Sequence, residues 1–272
     1  MVPRGVFLVL GRILIYLMVL MSVMYFLQDS LMFYPERLSY EDAQARAQQR
    51  GLALWSEDDK GYRGFVSLAH DQDFRGTVVV FHGNAGEASD RIYYVQALEA
   101  RGYRVILHEY PGYGAREGKK DEQSLVEDAC QTLKLVHEQY GGPVYLFGES
   151  IGSGVATGVV ARCEAMVKGV ALITPWDNLP DLAQHLYWFL PVKWLVRDRY
   201  DNSENLKAYE GRVAVLYADS DSIIPPEHAK RLYDSIQSEK RLWVFEKAGH
   251  NSWPAWSDAQ WWSEVMKFLD RD

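Results

Sequence analysis

The sequence predicts an α/β fold, in which one mostly parallel β-sheet is flanked by helices and follows an N-terminal transmembrane helix. Three observations support this prediction. Apolar strand-like runs alternate with helical patterns along most of the chain. A Gly-x-Ser-x-Gly pattern at residues 148–152 stands where the run Val144 to Phe147 meets small residues typical of a helix. The first apolar segment is long enough to cross a bilayer.

That first segment, Val6 to Leu27, is nearly free of polar residues. A helix of this length would extend about 33 Å, and Arg12 lies close enough to one end to reach the headgroups. A cleaved signal peptide and a buried helix are the alternatives. No small-x-small cleavage site follows, because Gln28 to Ser30 leads directly into an aromatic stretch. We therefore expect a retained membrane anchor over residues 1–28 and an α/β body over residues 29–272.

The charges around this segment predict its orientation. Arg4 and Arg12 lie on its N-terminal side, and Asp29 follows it. By the positive-inside rule the N-terminus lies in the cytoplasm and the body on the outer, extracytoplasmic side. The chain carries a net charge of −8 and no basic patch, which argues against nucleic acid as a partner.

The body opens with a juxtamembrane strap at residues 31–36 and a short helix at 39–49, with Ser39 as the expected N-cap. Strands and helices alternate from there. The predicted strands cover residues 61–69, 77–81, 104–107, 144–147, 169–173, 212–217 and 241–245, and the predicted helices residues 88–101, 121–140, 151–163, 226–238 and 255–269. Alternation stops at residues 176–206, an aromatic-rich segment with two prolines. We expect there a short helical insertion that covers the sheet edge like a lid.

The two cysteines, Cys130 and Cys163, fall in predicted helices. They are too few for a disulfide framework, and no metal-ligand spacing surrounds them. We expect buried small hydrophobic side chains, with one bridge in an oxidising compartment as the alternative. No metal or cofactor is predicted.

Ser150 is the predicted nucleophile. A Gly-x-Ser-x-Gly pattern between a strand and a helix is the nucleophile elbow, where a sharp turn exposes the serine at the sheet edge. A Gly-rich turn without chemistry is the alternative, and Ser153 is a competing serine that lacks the elbow position.

His250 is the predicted base, because a serine hydroxyl needs a neighbour that accepts its proton. It follows Gly249 in the loop between the last predicted strand and the last helix. The other histidines lie on helices, in the insertion or in less suitable loops, at positions 70, 82, 108, 137, 185 and 228. The acid is expected between serine and histidine in chain order, which leaves Asp221 and Asp219. We favour Asp221, because the Ser-Ile-Ile-Pro segment after it would fix the loop.

The loop His82 to Gly86 follows the strand at 77–81 and can direct a backbone N–H toward a carbonyl bound over Ser150. Together with the N–H of Ile151 it would form an oxyanion hole. A phosphate-binding loop is the weaker alternative, since the required Gly and Lys spacing is absent. His82 itself is interpreted as a structural residue because it precedes the serine.

Six short motifs in order resemble the α/β-hydrolases, and within them the Bem46-like membrane-anchored serine hydrolases. They are FYPE at 33–36, FHGNAG at 81–86, EYPGYG at 109–114, GESIG at 148–152, DSIIP at 221–225 and GHN at 249–251. The resemblance implies an α/β-hydrolase fold with Ser150, Asp221 and His250 as the triad and the N–H groups of Asn84 and Ile151 as oxyanion donors. Glu109, Pro111 and Glu149 depart from the residues that similar proteins often carry.

The expected function is therefore that of a membrane-anchored serine hydrolase acting on carboxylic esters or thioesters, with a small acyl ester or a lipid-like molecule as substrate. The insertion would supply an apolar acyl pocket, whose expected wall is Trp176, Tyr187 and Trp188 with Phe189 and Trp194. Lid packing or contact with the membrane surface is the alternative for these aromatic residues. A non-catalytic membrane scaffold, a peptidase and a lipid hydrolase are the alternative functions.

Overall fold

The computed structural model describes residues 4–56, 61–68, 73–163 and 167–271. The end of the first predicted strand, at Ala69, the position of His70 and the first three residues of the predicted anchor lie outside the described residues.

The described chain alternates strands and helices. The strands are β1 Tyr34–Pro35, β2 Leu52–Trp55, β3 Gly64–Ser67, β4 Thr77–Phe81, β5 Ala85–Gly86, β6 Arg104–His108, β7 Val144–Glu149, β8 Gly169–Ile173, β9 Arg212–Ala218 and β10 Lys240–Phe245. The α-helices are α1 Arg4–Met32, α2 Tyr40–Gln49, α3 Ile92–Glu99, α4 Glu122–Tyr140, α5 Ile151–Cys163, α6 Leu179–Leu186, α7 Asn202–Asn205, α8 Pro226–Ser235 and α9 Gln260–Leu269.

Eight strands form one sheet in the order β10-β9-β8-β7-β4-β6-β3-β2. The strands from β10 to β6 in this order run parallel, whereas β3 is antiparallel to β6 and β2 is antiparallel to β3. The mostly parallel sheet is therefore confirmed. Every residue of β4 and of β8 is buried, because helices cover both faces of the sheet. In this arrangement the carboxyl ends of β4, β7, β8, β9 and β10 meet at one edge.

Two predicted helices begin differently, and one edge strand was not predicted. The helix predicted from residue 88 begins as a 3₁₀ turn at Ala88–Arg91, because the Glu87 carboxylate accepts the Ser89 N–H and the Asp90 carboxylate accepts the Glu87 N–H in a capping box. The last helix starts at Gln260, five residues later than predicted. The edge strand β2 was not predicted; Leu52 and Trp55 at its ends are buried, its two middle residues are partly exposed, and within the sheet it pairs with β3 alone.

The expectation of two free, buried cysteines was wrong. Cys130 of α4 and Cys163 of α5 form a disulfide, with Cα atoms 6.4 Å apart. The two helices pack side by side on one face of the sheet, which brings the two side chains together. The bridge thus joins the helix that follows the elbow to its neighbour.

Helix α1 is long, apolar and largely exposed. Its segment Val9–Met32 is apolar and long enough to cross a membrane, and none of it is buried within the described structure. Its length of 29 residues exceeds the thickness of a bilayer core, which needs about 20 helical residues.

Immediately after α1 the chain runs back onto the sheet edge as the predicted strap. Strand β1 pairs in parallel with β5, so that Tyr34 lies opposite Ala85 and Pro35 opposite Gly86. The strap therefore joins the apolar helix directly to the loop that follows β4.

Candidate active site

The backbone at Ser150 has the sharp conformation expected of an elbow. Its φ is +55°, between the last residue of β7 and the first residue of α5. The glycines on either side are required by close backbone approach. A Cβ on Gly148 would collide with the backbone of Gly152, and a Cβ on Gly152 would collide with the carbonyl group of Phe81 in β4. Strand and helix can therefore cross tightly only with glycine at these positions.

The structure brings Ser150, His250 and Asp221 together. His250 Nε2 lies 3.1 Å from Ser150 Oγ. On the other side of the ring, His250 Nδ1 lies 2.7 Å from Asp221 Oδ2. A neutral imidazole that donates from Nδ1 to the carboxylate leaves Nε2 as the acceptor for the serine hydroxyl. In serine hydrolases a chain of hydrogen bonds with this geometry activates the serine hydroxyl.

The two candidate aspartates have different partners. Oδ1 of Asp221 accepts the N–H groups of Ile223 and Ile224, both at 2.8 Å, so that Oδ2 faces the histidine. Asp219 is exposed and its Oδ1 accepts the N–H of Lys247 at 2.6 Å. Asp221 is thus placed toward the imidazole, whereas Asp219 closes the turn after β10.

Asn84 and Ile151, the expected oxyanion donors, both line a cavity with Ser150. Ile151 is the first residue of α5, where a helix has no internal partner for its N–H groups. Asn84 is held by the strap: its carbonyl oxygen accepts the Tyr34 N–H at 2.9 Å, and its side-chain amide donates to the Met32 carbonyl at 2.8 Å. Tyr113 donates to the same Asn84 carbonyl at 2.8 Å.

Behind this loop lies a buried pair, His82 and Glu109. Burial lowers the pKa of His82 to about 3 and raises the pKa of Glu109 to about 8, so both side chains are neutral near pH 7. His82 Nδ1 lies 2.7 Å from the Gly83 carbonyl, and Nε2 faces a Glu109 oxygen at 3.4 Å. A protonated Glu109 is the donor suited to this acceptor. The pair is structural, as the chain order of His82 predicts.

Glu149, next to the nucleophile, has partners of its own. Its carboxylate accepts the Tyr93 hydroxyl at 2.7 Å and lies 3.5 Å from the Arg91 guanidinium. Arg91 balances its charge, so Glu149 is directed away from the hydrogen-bond chain at Ser150.

A cavity of about 280 Å³ opens at Ser150 and is lined mainly by apolar side chains. Trp176 and Tyr187 of the insertion contribute to it, together with Ile223 and Ile224 from the loop after β9. The sequence did not predict a further wall: the C-terminal turns of α1, with Met24, Gln28, Leu31 and Met32. The sequence feature that could have indicated this wall is the short strap, because so short a connection keeps the apolar helix close to the sheet edge.

Trp188 does not line this cavity, contrary to expectation. It lies on the outer surface of the insertion with 79% of its area exposed, and Phe189 and Trp194 are exposed there too. Helix α6 ends at Leu186, and the three rings lie in the segment after it, outside the cavity lining. Among the described residues, no group of three His, Cys, Asp or Glu side chains is arranged to hold a metal ion.

Comparison with known proteins agrees with this architecture. Residues 72–203 match the family model described as Hydrolase_4, serine aminopeptidase, S33. An uncharacterized protein of Mycobacterium tuberculosis is 32% identical over 177 residues, 64% of this chain and 62% of that protein. The lysophosphatidylserine lipase ABHD12 of Danio rerio is 30% identical over 190 residues, 63% of this chain and 50% of the lipase. The chain thus spans between half and two thirds of the length of these relatives.

Among solved structures, an esterase of Pyrococcus furiosus superposes with a TM-score of 0.63 and 17% identity over 88% of this chain and 97% of the esterase. The parallel sheet, the elbow between β7 and α5 and these matches define the class of protein. The chain has the α/β-hydrolase fold, and its sequence is similar to proteins of the α/β-hydrolase superfamily. The narrower assignment to the Bem46-like branch stays a prediction.

Proposed function

We propose that this protein is a membrane-anchored serine hydrolase that cleaves carboxylic esters or thioesters of apolar acyl groups. The observation that carries the proposal is the hydrogen-bond chain from Asp221 through His250 to Ser150, which ends at an apolar cavity. In this proposal residues 1–28 form the anchor, and residues 29–272 form the hydrolase domain with the lid-like insertion 176–206.

The proposed reaction has two half-reactions. His250 Nε2 takes the proton of Ser150 Oγ as the oxygen attacks the acyl carbonyl, and the N–H groups of Asn84 and Ile151 hold the resulting oxyanion. The imidazolium then gives its proton to the departing alcohol or thiol, leaving an acyl-serine. Water, deprotonated by His250, attacks the acyl-serine, and collapse of the second tetrahedral intermediate releases the acid and restores the hydroxyl.

The cavity supports an apolar acyl group as the bound part of the substrate. Its walls offer few polar groups besides Gln28 and Asn84. Each methylene transferred from water into such a pocket contributes about 0.8 kcal/mol, which corresponds to about a fourfold gain in kcat/KM. A series of p-nitrophenyl esters is therefore expected to improve stepwise with acyl length until the cavity is filled. The relatives named as a lysophosphatidylserine lipase and an esterase support a lipid-like ester.

Labelling with a fluorophosphonate probe tests the proposal directly. The wild-type protein and Ser153→Ala are expected to label, whereas Ser150→Ala and His250→Ala are not. Ser153 is the matched control because its hydroxyl is buried one turn away and donates to the Ser150 carbonyl. Labelling and ester hydrolysis that survive in Ser150→Ala would place the nucleophile elsewhere. A folded wild-type protein that neither labels nor hydrolyses any ester would favour the non-catalytic scaffold.

A further inference from the structure

The C-terminal end of α1 lines the substrate cavity and is also part of the apolar segment Val9–Met32 that is long enough to span a membrane. Met24 and Gln28 lie one turn apart on the same face of α1 and both line the cavity, as do Leu31 and Met32 at its end. The segment Val9–Met32 would extend about 36 Å as a helix, more than a bilayer core of about 30 Å. With this segment centred in a bilayer, Leu31 would lie near the level where hydrocarbon meets headgroups.

The insertion is fastened to the same end of α1. Gln28 makes two hydrogen bonds to it, donating to the Leu195 carbonyl at 3.3 Å and accepting the Arg197 N–H at 2.9 Å. The Arg197 side chain forms an ion pair with Asp29 and lies over the ring of Tyr25. These contacts hold the insertion at the depth of the last turns of the span.

Four side chains line the cavity and are also exposed, which marks its opening. They are Leu31 of α1, Leu186 and Tyr187 of the insertion and Ile223 of the loop that carries Asp221. The rim of the opening is therefore apolar on three sides.

Beside this opening the insertion exposes a set of large apolar side chains that we call the lid patch: Leu186, Trp188, Phe189 and Trp194. Trp188 is 79% exposed and Trp194 85%. Tryptophan is enriched where proteins meet the membrane–water interface. Because Gln28 and Asp29 fasten the insertion to the end of α1, the patch lies on a segment that is held beside the span.

We propose that the lid patch is seated in the bilayer that α1 spans, and that the acyl chain of a membrane-resident ester passes from the bilayer between α1 and the insertion to Ser150. This inference rests on the proposed function and identifies its substrate as an ester dissolved in the membrane. In this arrangement the chain of the substrate moves from hydrocarbon to an apolar cavity without crossing water.

The test compares two esters with the same leaving group on the full-length protein in phosphatidylcholine vesicles. p-Nitrophenyl palmitate partitions into the bilayer, and p-nitrophenyl acetate reaches the site from water. The readout is the ratio of kcat/KM for palmitate to that for acetate.

Two matched pairs of variants separate the parts of the inference. Met24→Trp fills the cavity from α1, and Leu20→Trp, one turn earlier and outside the cavity lining, is its control. Trp188→Ser with Trp194→Ser removes the lid patch rings, and Trp256→Ser, which is 63% exposed outside the insertion, is its control. We expect at least a tenfold lower ratio in Met24→Trp and in the double variant, and an unchanged ratio in both controls.

Quenching of tryptophan fluorescence by brominated phosphatidylcholine gives a second readout. The double variant is expected to lose a quenched component that Trp256→Ser retains. Equal quenching in the two proteins, or an unchanged ratio in the double variant, overturns the bilayer seating and assigns the patch to another partner. An unchanged ratio in Met24→Trp overturns the wall formed by α1. Hydrolysis of both esters by Ser150→Ala, or of neither ester by wild type, overturns the proposed function and the inference with it.

Discussion

Ser150 is held in a backbone conformation that an L-residue rarely adopts. A positive φ at a non-glycine residue costs on the order of 1–3 kcal/mol, and the surrounding structure has to maintain it. The Ser150 N–H donates to the Ile173 carbonyl of β8 at 2.9 Å, and the backbone N–H of Ser153 donates to the Ser150 carbonyl at 2.9 Å. Both sides of the turn are thus fixed, and the hydroxyl is directed at His250.

Substitution of the two aspartates in the loop after β9 is expected to have different effects on kcat. Asp221→Asn removes the carboxylate that orients His250 and stabilises its protonated form, so kcat is expected to fall about 10³–10⁴-fold. Asp219→Asn, whose carboxylate contacts a backbone N–H in the next turn, is expected to change kcat less than about threefold. Steady-state hydrolysis of p-nitrophenyl acetate measures both. The reverse order of effects would make Asp219 the triad acid.

The buried Glu109 is expected to make the free energy of unfolding depend on pH. Burial is the largest cause that raises its pKa to about 8 in the native protein, Asp90 also raises it, and Arg116, Arg91 and the Ala88 N–H lower it. Between its ordinary pKa of 4.5 and 8 the native protein binds more protons than the unfolded chain, so this group makes the free energy of unfolding fall as pH rises.

Glu109→Gln is therefore expected to become progressively more stable than wild type between pH 5 and 8, by at most about 1.4 kcal/mol per pH unit. Chemical unfolding at several pH values measures the difference, with the exposed Glu138→Gln as control. A difference between Glu109→Gln and wild type that does not vary with pH would show that Glu109 is ionised in the native protein.

At the scale of elements, the strap couples α1 to the loop after β4, which carries the proposed oxyanion donor Asn84. The Tyr34 N–H and the Met32 carbonyl both bind Asn84, one residue from the pairing of β1 with β5. Tyr34→Pro removes the N–H and its bond to the Asn84 carbonyl, whereas Tyr34→Phe keeps it.

Loss of an entire oxyanion donor costs about 10²–10³ in kcat. A displaced Asn84 is therefore expected to lower kcat of Tyr34→Pro about tenfold with little change in KM, and Tyr34→Phe is expected to match wild type. Kinetics on p-nitrophenyl acetate provide the measurement. Equal kcat in the two variants would show that the strap does not position the loop.

Most strands could be predicted from the sequence, because β4, β8 and β9 are continuous apolar runs that only a sheet covered on both faces buries. The order of the motifs predicted which residues meet at Ser150. Edge strand β2 was not predicted because its short, half-buried pattern resembles a loop. The disulfide was not predicted because the packing of α4 against α5 determines whether the two cysteines meet. The wall formed by α1 depends on the angle at which α1 meets the sheet edge, which no local sequence pattern indicates.

For the whole molecule, the disulfide and the proposed outward orientation support each other, since disulfides persist in oxidising compartments. The bridge closes a sequence separation of 33 residues. The chain-entropy model gives about 3–4 kcal/mol for a loop of this size. Cys130→Ser with Cys163→Ser is expected to lower the free energy of unfolding by about this amount.

Chemical unfolding under non-reducing conditions measures that loss, and alkylation of the protein from its native membrane tests the bond itself. Neither cysteine is expected to react before a reductant is added. Ready alkylation of both would place the domain in a reducing compartment.

Under the proposed function, the strap also determines where the protein can act. A protease that cut the chain between α1 and the sheet would release a body that lacks one side of its cavity. The released body would also lack the hydrogen bond from the Asn84 side chain to the Met32 carbonyl. Proteolytic release of the body is therefore expected to abolish the proposed hydrolase activity and not to yield an active soluble form. In the proposed membrane-anchored form, encounters with substrate would be confined to two dimensions, so that the rate would follow the surface density of the ester in the membrane and not its concentration in the surrounding fluid.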